Sequence, residues 1–293
     1  MKLLIHLLIG ATALADMDPL VKWKEMPSWI SSITANSKEI FATNSLWQLY
    51  RCVRPCNGTD WEYMGWYAAY TAANKWEVWV ISVDGYIYRS RLPTKFAYFL
   101  DWASYANYIN QQNANRRRRR HKSIMAASEF PTWPQVNGVL SSVTLGTNMV
   151  AGVNKNSDAF ITPWDFAGNT TTQATWTSLP EKWKEVSLSA DNQLWGVRTD
   201  GKVYRFRKKY ATWDEIPNPT NINFSRLSVG RLYVYAVAVD DRIYRCVRPC
   251  IFGGWQLADG QMVAVNTGNT GDDQVFGINR DGKGYEGTPM AIQ

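Results

Sequence analysis

Histidine is almost missing from this chain of 293 residues, which has only His6 and His121. His6 lies in an apolar leader and His121 inside a basic run, so Ser-His-Asp and Cys-His catalytic arrangements are excluded. Cysteine is also scarce. All four cysteines fall in two copies of one hexapeptide, RCVRPC, at residues 51–56 and 245–250. With no partner histidines nearby, zinc is not supported, and no metal or other cofactor is implied. After the N-terminus no stretch approaches the ~18–20 apolar residues of a membrane-spanning helix.

Residues 1–15 read as a secretory signal peptide. Lys2 supplies the positive start, residues 3–9 the short apolar run, and Ala13-Leu14-Ala15 the small-x-small cleavage site. The expected location is therefore extracellular, where disulfides form. Four cysteines allow three pairings; the repeated spacing favours Cys52 with Cys56 and Cys246 with Cys250. Such bridges need Cα atoms within ~7 Å, and Pro55 and Pro249 suit the tight reversal this requires.

Tryptophan and tyrosine, fifteen of each, recur with a period. A nine-residue interval links Phe41 to Tyr50, Trp79 to Tyr88, Ala151 to Phe160, Trp195 to Tyr204, Tyr235 to Tyr244 and Phe276 to Tyr285. Upstream of these stand Trp23, Trp61, Trp133, Trp176, Trp213 and Trp255, at gaps of 18 to 22 residues. An apolar stretch such as "WKEVSL" (183–188) lies between, giving four short strands per unit. Asp84-Gly85, Asp200-Gly201 and Asp281-Gly282 read as two-residue hairpin turns. Six four-stranded repeats predict an all-β, six-bladed β-propeller, with the six tryptophans packed between blades. The chain ends eight residues after Tyr285, so the Trp23 strand is expected to complete the last blade.

The segments "LWGVRTDGKVY" (194–204), "VFGINRDGKGY" (275–285), "AGVNKNSDAF" (151–160) and "IFATNSLWQLY" (40–50) resemble the tectonin family of lectins. The resemblance covers residues 23–94 and 133–293. Secreted members include fish-egg lectins and horseshoe-crab haemolymph lectins, which carry Cys-rich loops after the Tyr strand. The resemblance implies a secreted carbohydrate-binding protein, with glycans or glycoconjugates such as bacterial lipopolysaccharide as partners, in innate-immune or egg-associated settings. A homo-oligomer is compatible with it. The rival reading is a secreted propeller that serves as a protein-interaction platform.

Blades one and two occupy residues 16–94 and blades three to six residues 133–293, separated by an insertion at 95–132. Tyr88 and Trp133 are 45 residues apart because of it. Tyr98, Trp102, Tyr105 and Ile109 stand at helical spacing within it, before "RRRRRHK". That run reads as a solvated loop, a processing site ending at Arg120, an anion site, or a gene-model artefact. The insertion carries a net charge of +5, most of the chain's +7, so the propeller body is not expected to bind nucleic acid.

Sugar recognition needs an aromatic wall and fixed polar groups. The polar slot three residues after the first aromatic holds Asn44, Ser82, Asn154, Arg198, Ala238 and Asn279. Asn44, Asn154, Arg198 and Asn279 are the candidates there, and turn formation is the competing use of each asparagine. Trp47 stands in a turn slot and is expected to be exposed, a further ligand contact. A sialidase-type turn with its tryptophan is not found, so no enzyme is expected. Asn57, Asn169 and Asn223 open N-glycosylation sequons.

Overall fold

The computed structural model describes residues 20–56, 61–92, 133–166, 172–208, 211–251, 254–268 and 273–290. The leader, the insertion with its helical spacing, Asn57, Asn169 and Arg120 lie outside them. The described chain is all-β and arranged as a propeller. It opens with β1 (Val21–Trp29). One sheet follows: β2 (Ser32–Ala35), β3 (Glu39–Thr43), β4 (Gln48–Val53) and β5 (Glu62–Tyr67). The next holds β6 (Tyr70–Ala73), β7 (Glu77–Ile81), β8 (Tyr86–Arg91) and β9 (Gln135–Val139).

A seven-stranded sheet then runs through β10 (Ser142–Leu145), β11 (Met149–Val153), β12 (Asp158–Pro163), β13 (Thr177–Leu188), β14 (Leu194–Arg198), β15 (Val203–Arg207) and β16 (Thr212–Ile216). Next come β17 (Phe224–Val229), β18 (Tyr233–Ala238), β19 (Arg242–Val247) and β20 (Gln256–Gln261). The last sheet contains β21 (Ala264–Asn266), β22 (Val275–Ile278) and β23 (Lys283–Pro289), with β1 on its outer side. No helix long and apolar enough to cross a membrane is found among the described residues.

The nine-residue interval has a simple geometric origin. The residue after each first aromatic is small or aliphatic and lies directly opposite the later aromatic: Ala42 faces Tyr50, Val80 faces Tyr88, and Gly196 faces Tyr204. The leading aromatic turns to the other face and is fully buried in Phe41, Trp79, Trp195, Tyr235 and Phe276. Alternation across the pleat thus sets both faces at once. Gly196 is small for a reason, because a Cβ there would come within 2.6 Å of the Trp183 ring.

Six apolar clusters fill the spaces between successive sheets, one of them between the two halves of the seven-stranded sheet. That last cluster joins Ala151, Val153 and Ala159 to Trp183, Leu194 and Tyr204. β13 pairs with β12 through Ser178 and with β14 through Val186. It changes direction near Glu181, whose φ of 73° places it in the left-handed region. The inner strands β2, β6, β10, β13, β17 and β21 lie side by side, and β21 returns to β2.

The leading tryptophans pack between neighbouring sheets, as the sequence suggests. Trp23 donates its indole N–H to the Asp259 carbonyl (2.8 Å), Trp176 to Asn137 (2.8 Å) and Trp255 to Pro217 (3.1 Å). Trp133 stacks on Trp66, and Trp213 sits 4.2 Å from Trp183 between ring centroids. The phase of the repeat needs correction, however. Each tryptophan strand is the outer strand of the preceding repeat's sheet, as β5 after Trp61 pairs with β4. The expected closure is present: β1 pairs with β23, with Trp23 opposite Gly287.

Cys52 is bonded to Cys56 and Cys246 to Cys250, with Cα separations of 5.8 and 5.6 Å. The first loop adjoins the closing sheet, and the second packs against the sheet on its other side, where Arg205 of β15 donates to the Pro249 carbonyl. Arg54 reaches Glu286 of β23 at 3.5 Å. Arg245 donates to the carbonyls of Leu20 (2.8 Å) and Met290 (2.9 Å), one from each end of the described chain. Arg248 ties the second loop to Asp191 with bonds of 3.1 and 3.2 Å.

Candidate functional site

The polar slots open six loops of one design. Each loop has four residues, 44–47, 82–85, 154–157, 198–201, 238–241 and 279–282, between the second and third strands of a repeat. The fourth residue donates its N–H back to the first residue's carbonyl: Trp47 to Asn44 (2.9 Å), Gly85 to Ser82 (2.9 Å), Ser157 to Asn154 (3.1 Å), Gly201 to Arg198 (2.9 Å), Asp241 to Ala238 (3.0 Å) and Gly282 to Asn279 (3.0 Å). All six fourth residues have positive φ, glycine in three repeats and Trp47, Ser157 and Asp241 in the others. The Asp-Gly pairs are therefore the last two residues of four-residue loops, which corrects the two-residue turns. Glycine enters the left-handed region at little cost, and the loop needs one residue there.

Each fourth carbonyl also accepts a backbone N–H from the connection to the next inner strand. Trp47 accepts from Ala68 (2.7 Å), Gly85 from Leu140 (2.9 Å) and Gly282 from Ile30 (2.6 Å). The loops and these crossovers thus share one face.

The asparagine side chains take part in their own turns. Asn44 Oδ1 accepts from the Leu46 and Gln48 amides, both at 3.0 Å, and its Nδ2 donates to Gln48 Oε1 at 2.8 Å. Asn154 Oδ1 accepts from Asn156 (2.8 Å) and Asp158 (2.9 Å), and its Nδ2 donates to Asp158 at 3.2 Å. Hydrogen bonds from Lys182 and Asn154 hold the Asp158 carboxyl below its ordinary range. Asn279 Oδ1 accepts from Lys283 N–H at 2.9 Å. Ser82 Oγ does the same for Tyr86 at 3.1 Å.

Arg198 turns to Glu181 (2.7 Å) and lies over the Tyr204 ring. Trp47 is 47% exposed, as expected from its slot, and Tyr67 beside it is 41% exposed. The structure does not gather these residues into one pocket. It sets them round a common face, one per repeat. Asn223 is exposed, next to the Gly201 loop.

An axial cavity of about 320 Å³ adjoins the crossovers. Its lining includes Ser32, Tyr70, Ser142, Lys184, Glu185 and Arg226. Sequence reading missed it because its residues come from all six inner strands and meet only when the ring closes. Glu185 is buried, and Oε2 accepts the Leu227 N–H at 2.6 Å. Burial pushes its carboxyl up, and the Glu185 charge in turn holds the Arg226 guanidinium above its ordinary value. Burial also raises the Tyr70 phenol. Below the cavity, hydroxyls link the inner strands: Ser32 Oγ accepts from Thr71, Thr34 from Ala73, Thr144 from Leu188 and Ser187 from Val229. No cluster of metal-ligating side chains is found among the described residues.

Residues 107–224 match the family model of the Tectonin domain, and the described chain is propeller-like. The match begins inside the segment read as the insertion. No curated protein matches in sequence. Among solved structures, YCF48 bound to D1 peptide is similar at TM-score 0.55 and 11% identity, over 95% of this chain and 98% of that one. Prp20p from Saccharomyces cerevisiae is similar at 0.52 and 9%, over 87% and 70%. Human WBSCR16 follows at 0.51 and 11%, over 92% and 73%. At these identities the likeness is one of fold.

Proposed function

We propose that the protein is a secreted, six-bladed tectonin lectin that recognises glycans, including glycoconjugates such as bacterial lipopolysaccharide, on its loop face. The blade count treats the seven-stranded sheet as two blades sharing β13. The ring of six inner strands and the six interleaved clusters support that division. The observation that carries the function is the sixfold repetition of one loop on one face, with differing first side chains. Repeated weak contacts of this kind add through avidity. Trp47 and Tyr67 supply exposed rings for the C–H face of a sugar.

In this reading the protein has no catalytic role, Asn57, Asn169 and Asn223 carry glycans, and Arg120 ends a processing site. The second reading, a protein-interaction platform, draws on the similar structures: YCF48 was solved with a peptide, and Prp20p is described with its binding to Gsp1p and histones. Retention on glycan-coated beads separates the two. The lectin reading expects retention that a free simple sugar competes away only at high concentration. Retention on no glycan, with capture by folded proteins instead, favours the platform.

A further inference from the structure

The axial cavity has a chemical polarity that the rim loops do not explain. Its charged walls, Lys184, Glu185 and Arg226, all come from β13 and β17. The opposite walls are hydroxyl-bearing: Tyr70 and Ser142, together with Ser31, Ser32 and Ser141, whose hydroxyls already bond backbone groups. The two cations outnumber the one carboxylate, whose Oε2 is already engaged by the Leu227 amide. Arg226 Nη1 stands 3.7 Å from Glu185 Oε1, an ion-pair distance too long for a hydrogen bond. The guanidinium makes no hydrogen bond among the described residues and is 44% exposed. A planar fork of five donors, set beside a polar cavity and left without acceptors, matches an oxyanion.

The cavity volume lies at the lower end of the range for small-molecule sites. The space continuing along the axis shrinks to about 30 Å³, bounded by Val143, Val186 and Leu227, so a ligand would enter from the crossover side and stop there.

We infer that this axial cavity binds a small hydroxylated oxyanion, a phosphate or carboxylate carried on a sugar or polyol. The anionic group meets Arg226 and Lys184, and the hydroxyls face Ser142 and Tyr70. The site is separate from the rim loops and does not depend on them.

Calorimetric titration of the full chain tests this with inorganic phosphate, glucose 6-phosphate, glucuronate and glucose. Glucose 6-phosphate and glucuronate are expected to bind, inorganic phosphate more weakly, and glucose not measurably. Arg226→Gln should weaken glucose 6-phosphate by ~10-fold or more, the usual scale for a lost charged hydrogen bond. Glu185→Gln should tighten it, which a purely structural role for the pair would not do. If Arg226→Gln fails to fold, Lys184→Gln and Glu185→Gln carry the same test with opposite signs. Asn154→Ser with Asn279→Ser should leave these titrations unchanged, whatever they do to glycan retention. No binding of either anionic sugar at millimolar concentration, or equal binding by parent and both charge variants, overturns the assignment. Inorganic phosphate binding as tightly as glucose 6-phosphate overturns the role of the hydroxyl wall.

Discussion

Ser82 shows what the asparagines in the equivalent slots do for the backbone. Its hydroxyl accepts the same downstream amide that Asn154 and Asn279 accept with Oδ1. Serine is thus the substitution that preserves the loop, while alanine removes the acceptor. Asn279→Ala is expected to lower stability by about 1 kcal/mol, and Asn279→Ser by much less, in urea melts. Equal losses would mean that the side-chain oxygen is unimportant to the turn. Turn role and exposed position were legible as alternatives in the sequence, because asparagine serves both. The actual use depends on a partner four residues on. Glu185 gives a second test at this scale. Its folded carboxyl is raised by burial, so its contribution to stability is present below the ordinary carboxylate range and is lost as pH rises through the raised value. Replacing it with glutamine should remove that part of the decline. The melting temperatures of parent and variant should therefore diverge as pH rises out of the acid range, with the variant the more stable. Parallel curves would contradict the buried, destabilised carboxylate.

Strands were legible where a cross-strand register repeats and obscure where the backbone turns without a marker. The Phe41–Tyr50 and Trp195–Tyr204 intervals reflect antiparallel pairing opposite a small residue, so the nine-residue spacing located six hairpins. β13 was not legible as one strand. "WKEVSL" and the Trp176 stretch read as separate strands, but Glu181 enters the left-handed region and the chain keeps pairing on both sides. The hexapeptide repeat also acquires a reason at this scale. Arg54 of the first copy holds β23, Arg245 of the second copy, in β19, holds both ends of the described chain, and the second disulfide loop packs against the neighbouring sheet through Arg248 and Pro249. Replacing Cys246 and Cys250 by serine should cost about 2 kcal/mol, the chain-entropy value for so short a loop. Hydrogen exchange should then quicken first in residues 189–193 and 230–233, which Arg248 ties to the loop. Faster exchange confined to β10–β12 would show that the loop does not secure these contacts.

The whole ring depends on a junction made from both ends of the described chain. Gly287 lies opposite Trp23, and a Cβ there would fall 2.7 Å from the indole ring. Gly287→Val is therefore expected to destabilise the protein by roughly 1–3 kcal/mol and to expose β1 to proteolysis, the cost of overpacking a filled site. An unchanged melting curve would mean that β1 contributes little to closure. Closure was readable from the position of the last tyrosine, whereas the axial cavity was not, since its lining residues are scattered from Ser31 to Ile278. The central claim concerns the face on which six equivalent loops lie. Its most direct test is retention of the full chain on a panel of immobilised glycans, beside a variant combining Trp47→Ala, Asn154→Ser and Asn279→Ser. The serines leave the turns intact and the alanine removes an exposed ring, so folding should persist. The parent should be retained and the variant should lose most of its retention, each single change having a much smaller effect. Equal retention of both proteins, or no retention of the parent on any glycan, would contradict glycan recognition by this face.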